Sequence, residues 1–153
     1  MSEFDATPII AQLVSHAASL GKFERVNAHE PKNAPGSGLT AAIWAQSIGP
    51  QPLASGLQRT TIRVVFNTRI YQSFLSQPED AIDPNMMRAV SALMDAYSGD
   101  FTLGGRVRNV DLLGQQGIPL SAQAGYVNQD GKLFRVYTIT VPAIINDQFD
   151  QVA

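Results

Sequence analysis

Apolar positions along this chain follow two periods, and the switch between them lays out the elements. Ile9, Ile10, Leu13, Val14, Ala17 and Leu20 recur at helical spacing, which predicts an amphipathic helix. Thr7 is placed to cap its free N–H groups, Pro8 to take the first helical position, where a missing N–H costs nothing, and Gly21 to give a left-handed exit. Phe23–His29 alternates weakly and predicts a short strand. Leu39–Ile48 predicts a strand of small residues around the only tryptophan, Trp44. Alternation is clearest in Thr60–Tyr71, where Ile62, Val64, Phe66, Thr68 and Ile70 share one face and Thr61, Arg63, Asn67 and Arg69 the other. A one-residue slip would turn that apolar face to water, so the register is well specified.

Helical spacing returns at Pro84–Tyr97. Asp83 is the expected cap, Pro84 the first position and Gly99 the exit; Met86, Val90, Leu93 and Tyr97 make one stripe, widened by Met87 and Met94. Burying such side chains is worth about 1.5–3 kcal/mol each, enough to dock the helix on a sheet. Arg106–Leu113 and Leu120–Asn128 read as strands separated by a Gly114–Pro119 turn. Asp130-Gly131 predicts a tight hairpin into a last strand, Lys132–Val141, which Pro142 is expected to interrupt before a short tail from Asn146. Two stretches, 30–38 and 49–58, are loops by composition. Strands in runs with one helix set between them predict an α+β fold: a mixed, largely antiparallel sheet with two main helices packed on it, in a single domain over residues 1–153.

Composition narrows the chemistry. With 153 residues, 44% of them hydrophobic, the chain can bury a genuine core. A net charge of −2 argues against a dedicated nucleic-acid binder, which usually shows a concentrated basic face. There is no cysteine, so disulfides and thiolate metal sites are excluded. Glu3 and Asp5 stand where a signal peptide would be basic, and the apolar run that follows stops at Gly21, too short to span a bilayer; a soluble, cytoplasmic protein with no membrane partner is the expectation.

Candidate catalytic features resolve into ordinary structural ones. Gly36-Ser37-Gly38 lacks the strand before and the helix after that a phosphate-binding loop requires. His16 and His29 have no second ligand at metal-binding spacing, and His16 borders the apolar face of the first helix. Glu79, Asp80 and Asp83 precede a helix N-terminus, where negative charge is favourable in itself. Arg63, Arg69, Arg106, Arg108 and Arg135 all fall on predicted strands. They are candidates for pairing across a subunit boundary or for solvating an open sheet face, ahead of phosphate contact. No cofactor or metal is called for, and no enzyme.

Several segments carry a resemblance: Ser37–Pro50 (SGLTAAIWAQSIGP), Arg63–Tyr71 (RVVFNTRIY), Ala81–Gly105 (AIDPNMMRAVSALMDAYSGDFTLGG), Val107–Gly114 (VRNVDLLG) and Leu120–Asp147. From Leu39 to Asn146 the chain resembles a tail terminator protein of long-tailed (siphovirus-type) bacteriophages, in the form common among actinobacterial phages. The resemblance implies a mixed sheet with packed helices. It further implies a virion protein at the head-proximal end of the tail, assembled in the host cytoplasm, with copies in a ring, expected to be a hexamer. That ring would sit on the last ring of the tail tube protein, stop tube growth and present the surface that joins the head-tail connector protein, with DNA only as passing cargo in its lumen. Ring contacts act together, so modest ones suffice. The two loops, with Lys32, Asn33, Gln51 and Leu53, are the candidate docking elements, and the sheet face bearing Arg63, Arg69 and Trp44 the candidate subunit boundary. A neighbouring neck or connector subunit is the near alternative; a small-molecule-binding or catalytic α+β domain is the alternative of another class, to be recognised by a deep pocket with convergent polar groups.

Overall fold

The longest strand is the last, and the sheet is built around it. The computed structural model describes residues 3–31, 38–51, 59–73 and 79–151. Within them the order is α1 (Thr7–Ser19), β1 (Arg25–Asn27), β2 (Thr40–Pro50), β3 (Arg59–Ser73), α2 (Glu79–Ser98), β4 (Asn109–Val110), β5 (Ser121–Gln129) and β6 (Lys132–Asp150). Six strands form one sheet in the order β1-β2-β3-β6-β4, with β5 also paired to β6. Among the described residues only the β1–β2 pairing is parallel. The fold is therefore α+β, with a mixed, largely antiparallel sheet and two helices on one of its faces.

The expected face of β3 is the core face. Ile62, Val64, Phe66 and Ile70 are buried with Ile139 and Val141 of β6 beneath Leu13 of α1 and Met86, Leu93 and Tyr97 of α2. Met87, expected to widen the α2 stripe, is instead 51% exposed. The opposite face of the sheet is not a solvated plane. Ala42, Tyr71, Phe134 and Val136 form a second buried cluster there, with Trp44 and Val127 packed against it. Thr61 and Asn67 are buried on that face too.

Element ends depart from expectation for local reasons. In α1 the cap is not Thr7: its N–H donates to Asp5 Oδ1 at 3.0 Å, so Thr7 is already helical and Asp5 supplies the oxygen. Gly21 does take the left-handed exit, at φ 67°. Helix α2 begins at Glu79, so Pro84 lies inside it and forgoes one helical bond. Asp83 does not cap it but reaches Arg135 of β6 at 2.9 Å. Gly99 follows the last helical residue, Ser98, as expected, and donates to Asp95 O at 2.9 Å, but the left-handed positions come later, at Leu103, Gly104 and Gly105. The predicted strand Arg106–Leu113 shrinks to Asn109–Val110, because Val107 N–H is spent on Thr102 O in the turn after α2.

Pro142 does not interrupt the last strand. It stands opposite Val65 of β3, and β6 runs on through Asp150 to pair with Arg59 and Thr60, so the expected tail is strand. In an antiparallel strand the N–H and C=O of one residue point to the same side. The Pro142 carbonyl accepts from Asp111 N–H at 2.9 Å, so its missing donor faces that side as well. There β5 has ended, at Ser121 opposite Thr140, and β4 has not yet begun. Asp111 stands beside the proline there, and its carbonyl accepts Leu120 N–H at 3.1 Å, so the missing proline donor leaves no acceptor unpaired. Gly49 and Pro50, expected in a loop, end strand β2.

Candidate interaction surface

The helix-free face of the sheet brings together residues from four strands. The sheet curls across it, so Gln46 of β2 and Gln123–Val127 of β5 line one open groove of about 360 Å³, floored by Asn67, Arg69, Thr138 and Thr140. The register explains the company. The Asp130-Gly131 turn, with φ 53° and 74°, fixes Gln123 opposite Thr138, and Thr138 stands opposite Arg69, which stands opposite Ala42. Arg69 Nε donates to Thr138 Oγ1 at 2.9 Å, and its guanidinium carbon lies 5.3 Å from the Trp44 ring centre and 6.0 Å from that of Tyr71. Stacking of this kind holds the cation flat on the sheet and costs it little hydration. The Tyr71 hydroxyl is raised above its ordinary pKa by burial, with Arg69 opposing.

Of the residues singled out from the sequence, Trp44 and Arg69 are therefore neighbours, and Arg63 is not with them. Arg63 Nη1 donates to the Gln116 carbonyl at 3.0 Å and to Gln51 Oε1 at 3.3 Å. Gln51 is only 4% exposed and donates to Gln116 at 3.1 Å, so its side chain is engaged within the chain. Lys32, Asn33 and Leu53 lie outside the described residues. Arg135 sits on the other face, paired with Asp83 and stacked 4.6 Å from Tyr126 and 5.5 Å from Tyr137. Arg106 lies in the turn after α2, where it reaches Gln12, and Arg108 donates to Asn146. The five arginines make no row. The groove residues Gln123, Thr138 and Thr140 were not singled out, although the hairpin turn alone places Gln123 beside Thr138.

His16 has a partner that spacing could not reveal. Its Nε2 lies 2.8 Å from Asp100 Oδ2, which also accepts from Gln12 Nε2 at 2.9 Å, while Asp100 Oδ1 accepts Gly104 N–H at 2.9 Å. The Gly104 bond first, then His16, holds the Asp100 carboxyl below its ordinary pKa. A depressed carboxyl stabilises the fold above its unfolded pKa of about 4, and that stability is lost as pH falls through the folded value. Asp100→Asn is therefore expected to lower stability at neutral pH and to flatten its decline below about pH 4. Urea unfolding followed by Trp44 fluorescence from pH 2.5 to 7 checks this. Asp5, lowered by the Thr7 N–H, will leave part of the slope.

Among the described residues no group of three or more His, Asp or Glu side chains is arranged to hold a metal ion, and no helix is long and apolar enough to cross a membrane.

No family model matches the chain, and no curated protein matches it in sequence. Among solved structures it is similar to the sheath/tube terminator of an extracellular contractile injection system, PVC, seen in its extended state by cryo-EM. Identity is 13% and the TM-score 0.44, over 100% of this chain and 60% of the other, so this chain spans less than two thirds of that one's length. A likeness of that degree equates neither fold nor role.

Proposed function

We propose that this chain is a tail terminator subunit: a structural protein whose copies form a ring, hexameric on the resemblance to long-tailed phage terminators, on the last ring of a phage tail tube. The ring stops tube growth and offers the head connector its docking surface. The observation that carries this reading is the placement of the resembling segments. Ser37–Pro50, Arg63–Tyr71, Ala81–Gly105 and Leu120–Asp147 contain β2, β5 and most of β3, α2 and β6, which make up most of the sheet and one of the two helices packed on it. The likeness in sequence thus follows the elements that determine the fold.

The chemistry of the groove supports a structural role. Among the described residues no carboxylate or imidazole lines it, and its arginine is already stacked and bonded. General acid–base work needs a titratable pair in reach of a substrate, which this lining does not supply. Trp44 and Arg69, with Arg63 further along β3, belong to the proposed subunit boundary, and the loops around Lys32, Asn33, Gln51 and Leu53 to the proposed docking with tube or connector. Net negative charge suits a lumen through which DNA passes without being held.

Interrupting the gene early in the parent phage and measuring tails by electron microscopy tests the reading. Overlong, headless tubes are expected. Tails of normal length that fail to join heads would move the protein to the connector, and intact infectious particles would remove it from the virion.

A further inference from the structure

Two polar side chains in the groove are left incomplete by the rest of the chain. Asn67 lines the groove and is only 8% exposed, yet its side-chain amide makes no hydrogen bond among the described residues. Arg69 lies two residues on, about 7 Å along β3. Its Nε donates to Thr138, but among the described residues it has no ion pair. Glu30 is felt as a charge at Tyr71 without pairing with Arg69. A buried amide without a partner is unfavourable, and a carboxylate set between it and the guanidinium would accept from both.

The opposite side of the molecule carries such a carboxylate. Asp95 is exposed in the last turn of α2, and among the described residues its side chain has neither hydrogen bond nor ion pair. Negative charge at a helix C-terminus opposes the helix dipole, and no basic residue in that turn offsets it.

We infer that the outward face of α2 in one copy packs into the groove of the next, with Asp95 reaching Asn67 and Arg69. The inference rests on the ring reading above and gives that ring its joint.

Level fits. Helix α2 is pinned to the sheet twice: Asp83 to Arg135, which stands opposite Gln72, and Tyr97 to Thr68. Thr68 lies between Asn67 and Arg69 and points to the other face, so the last turn of α2 stands behind the groove floor. Asp95 precedes Tyr97 by two residues, a rotation of about 200°, which turns it away from the sheet as Tyr97 turns towards it. Asp95 and Arg69 are therefore separated across the sheet and little along the strands. Rotating copies about an axis in the plane of the sheet brings one onto the other without a shift along that axis. Two different surfaces meeting in this way is the head-to-tail contact that generates rings.

Polarity fits as well. Ser91 and Met87 lie one and two turns before Asp95 on the same outward stripe, and Met87 is 51% exposed. The pin at Arg135 sets that half of α2 behind the Val136 end of the groove, where Val127 and Val136 take the place of amides and hydroxyls. Methionine thus meets valine, and aspartate meets arginine. The groove's volume of about 360 Å³ is that of about a dozen waters, room for the ends of a few side chains.

The chain has no cysteine, which gives a clean test. Ser91 and Gln123 are exposed, one on each side of the joint, and neither makes the charge pair. Full-length protein carrying Ser91→Cys and Gln123→Cys is supplied to the gene-interrupted phage, and purified tails are treated with a short bis-maleimide. The double variant is expected to give a ladder of covalent multimers, at least tenfold more abundant than in either single variant. A double variant that stays monomeric in tails of normal length overturns the joint while leaving the terminator reading intact. Normal tails from the interrupted gene alone overturn the terminator reading instead. Asp95→Lys is the second variant. A base in the last turn suits the helix dipole, so its urea midpoint is expected to match or exceed that of the parent chain. Facing Arg69, the same lysine is expected to give overlong tails and to lower phage yield at least tenfold. Normal yield with Asp95→Lys would count against the joint.

Discussion

Replacing Tyr97 by alanine is expected to cost about 3–5 kcal/mol of folding stability, the largest effect of any single side chain on α2. The ring lies fully buried among Leu13, Leu93 and the core face of the sheet, with the His16 imidazole edge-on at 5.9 Å. Its hydroxyl joins three elements: it lies 3.0 Å from Thr68 Oγ1 of β3 and donates to the Leu13 carbonyl of α1 at 3.4 Å. Tyr97→Phe keeps the ring and loses only those bonds, for about 1–2 kcal/mol. The two variants separate packing from hydrogen bonding in one denaturant titration. The phenol adds a signature in pH. Burial pushes its pKa well above the ordinary value of about 10, so it stabilises the fold fully below pH 10 and loses that contribution as pH rises towards the folded value. Tyr97→Phe should therefore weaken the alkaline decline in stability. Tyr71, raised in the same direction by burial, will keep part of it.

Alternation and turn chemistry carried most of the fold, and they failed where a long-range partner overrode a local rule. Strand β3 and the β5–β6 hairpin were legible because period and turn agree: Asp-Gly sets the loop and the register follows by counting. Pro142 was misleading because its effect depends on what lies beside it, and Asp111, whose carbonyl Leu120 satisfies, is seen there only once the loop before β5 is in place. Asp83-Pro84 has the form of a helix start, but Asp83 is recruited by Arg135 of β6 and the helix begins earlier. Arg106–Leu113 has strand-like alternation, yet the N–H groups of Arg106, Val107 and Val110 go to the turn after α2, and only those of Arg108 and Asp111 reach β6.

For the surface, the same limit applies to pairs of residues. Trp44 and Arg69 meet because β2 and β3 are adjacent, which the sequence suggested; Thr138 completes the set from a strand whose register the hairpin defines. Arg135 was grouped with Arg69 because both are strand arginines. On β6, however, its face is set by Tyr137, Ile139 and Val141, which turn towards the helices. Asp100 and His16, 84 residues apart, pair through the packing of α1 against the end of α2, and no spacing rule connects them.

The second large effect is expected at Asp111, a residue with no sequence signal at all. Its side chain is buried, and its two oxygens accept the N–H groups of Gln115 at 2.9 Å and Gln116 at 2.7 Å. Its own N–H donates to Pro142 O and its carbonyl accepts from Leu120 N–H, so one residue ties the 111–120 loop to itself and to β6. Within the loop, Gly114 at φ 75° packs so closely on Pro119 that a Cβ there would lie 3.1 Å from its ring. Asp111→Ala leaves two backbone donors without their acceptors, at about 1–3 kcal/mol each, so a loss of roughly 2–6 kcal/mol is expected, with Asp111→Asn recovering about half by keeping one acceptor. The consequence reaches the sheet, because Gln116 is what Arg63 and Gln51 hold. Hydrogen exchange should show the Gln115 and Gln116 amides unprotected in Asp111→Ala. Protection at Arg69 and Thr138, whose contacts lie further along β3 and β6, should fall only by as much as global stability falls. Equal loss at both places beyond that amount would mean that the loop and the groove open as one unit.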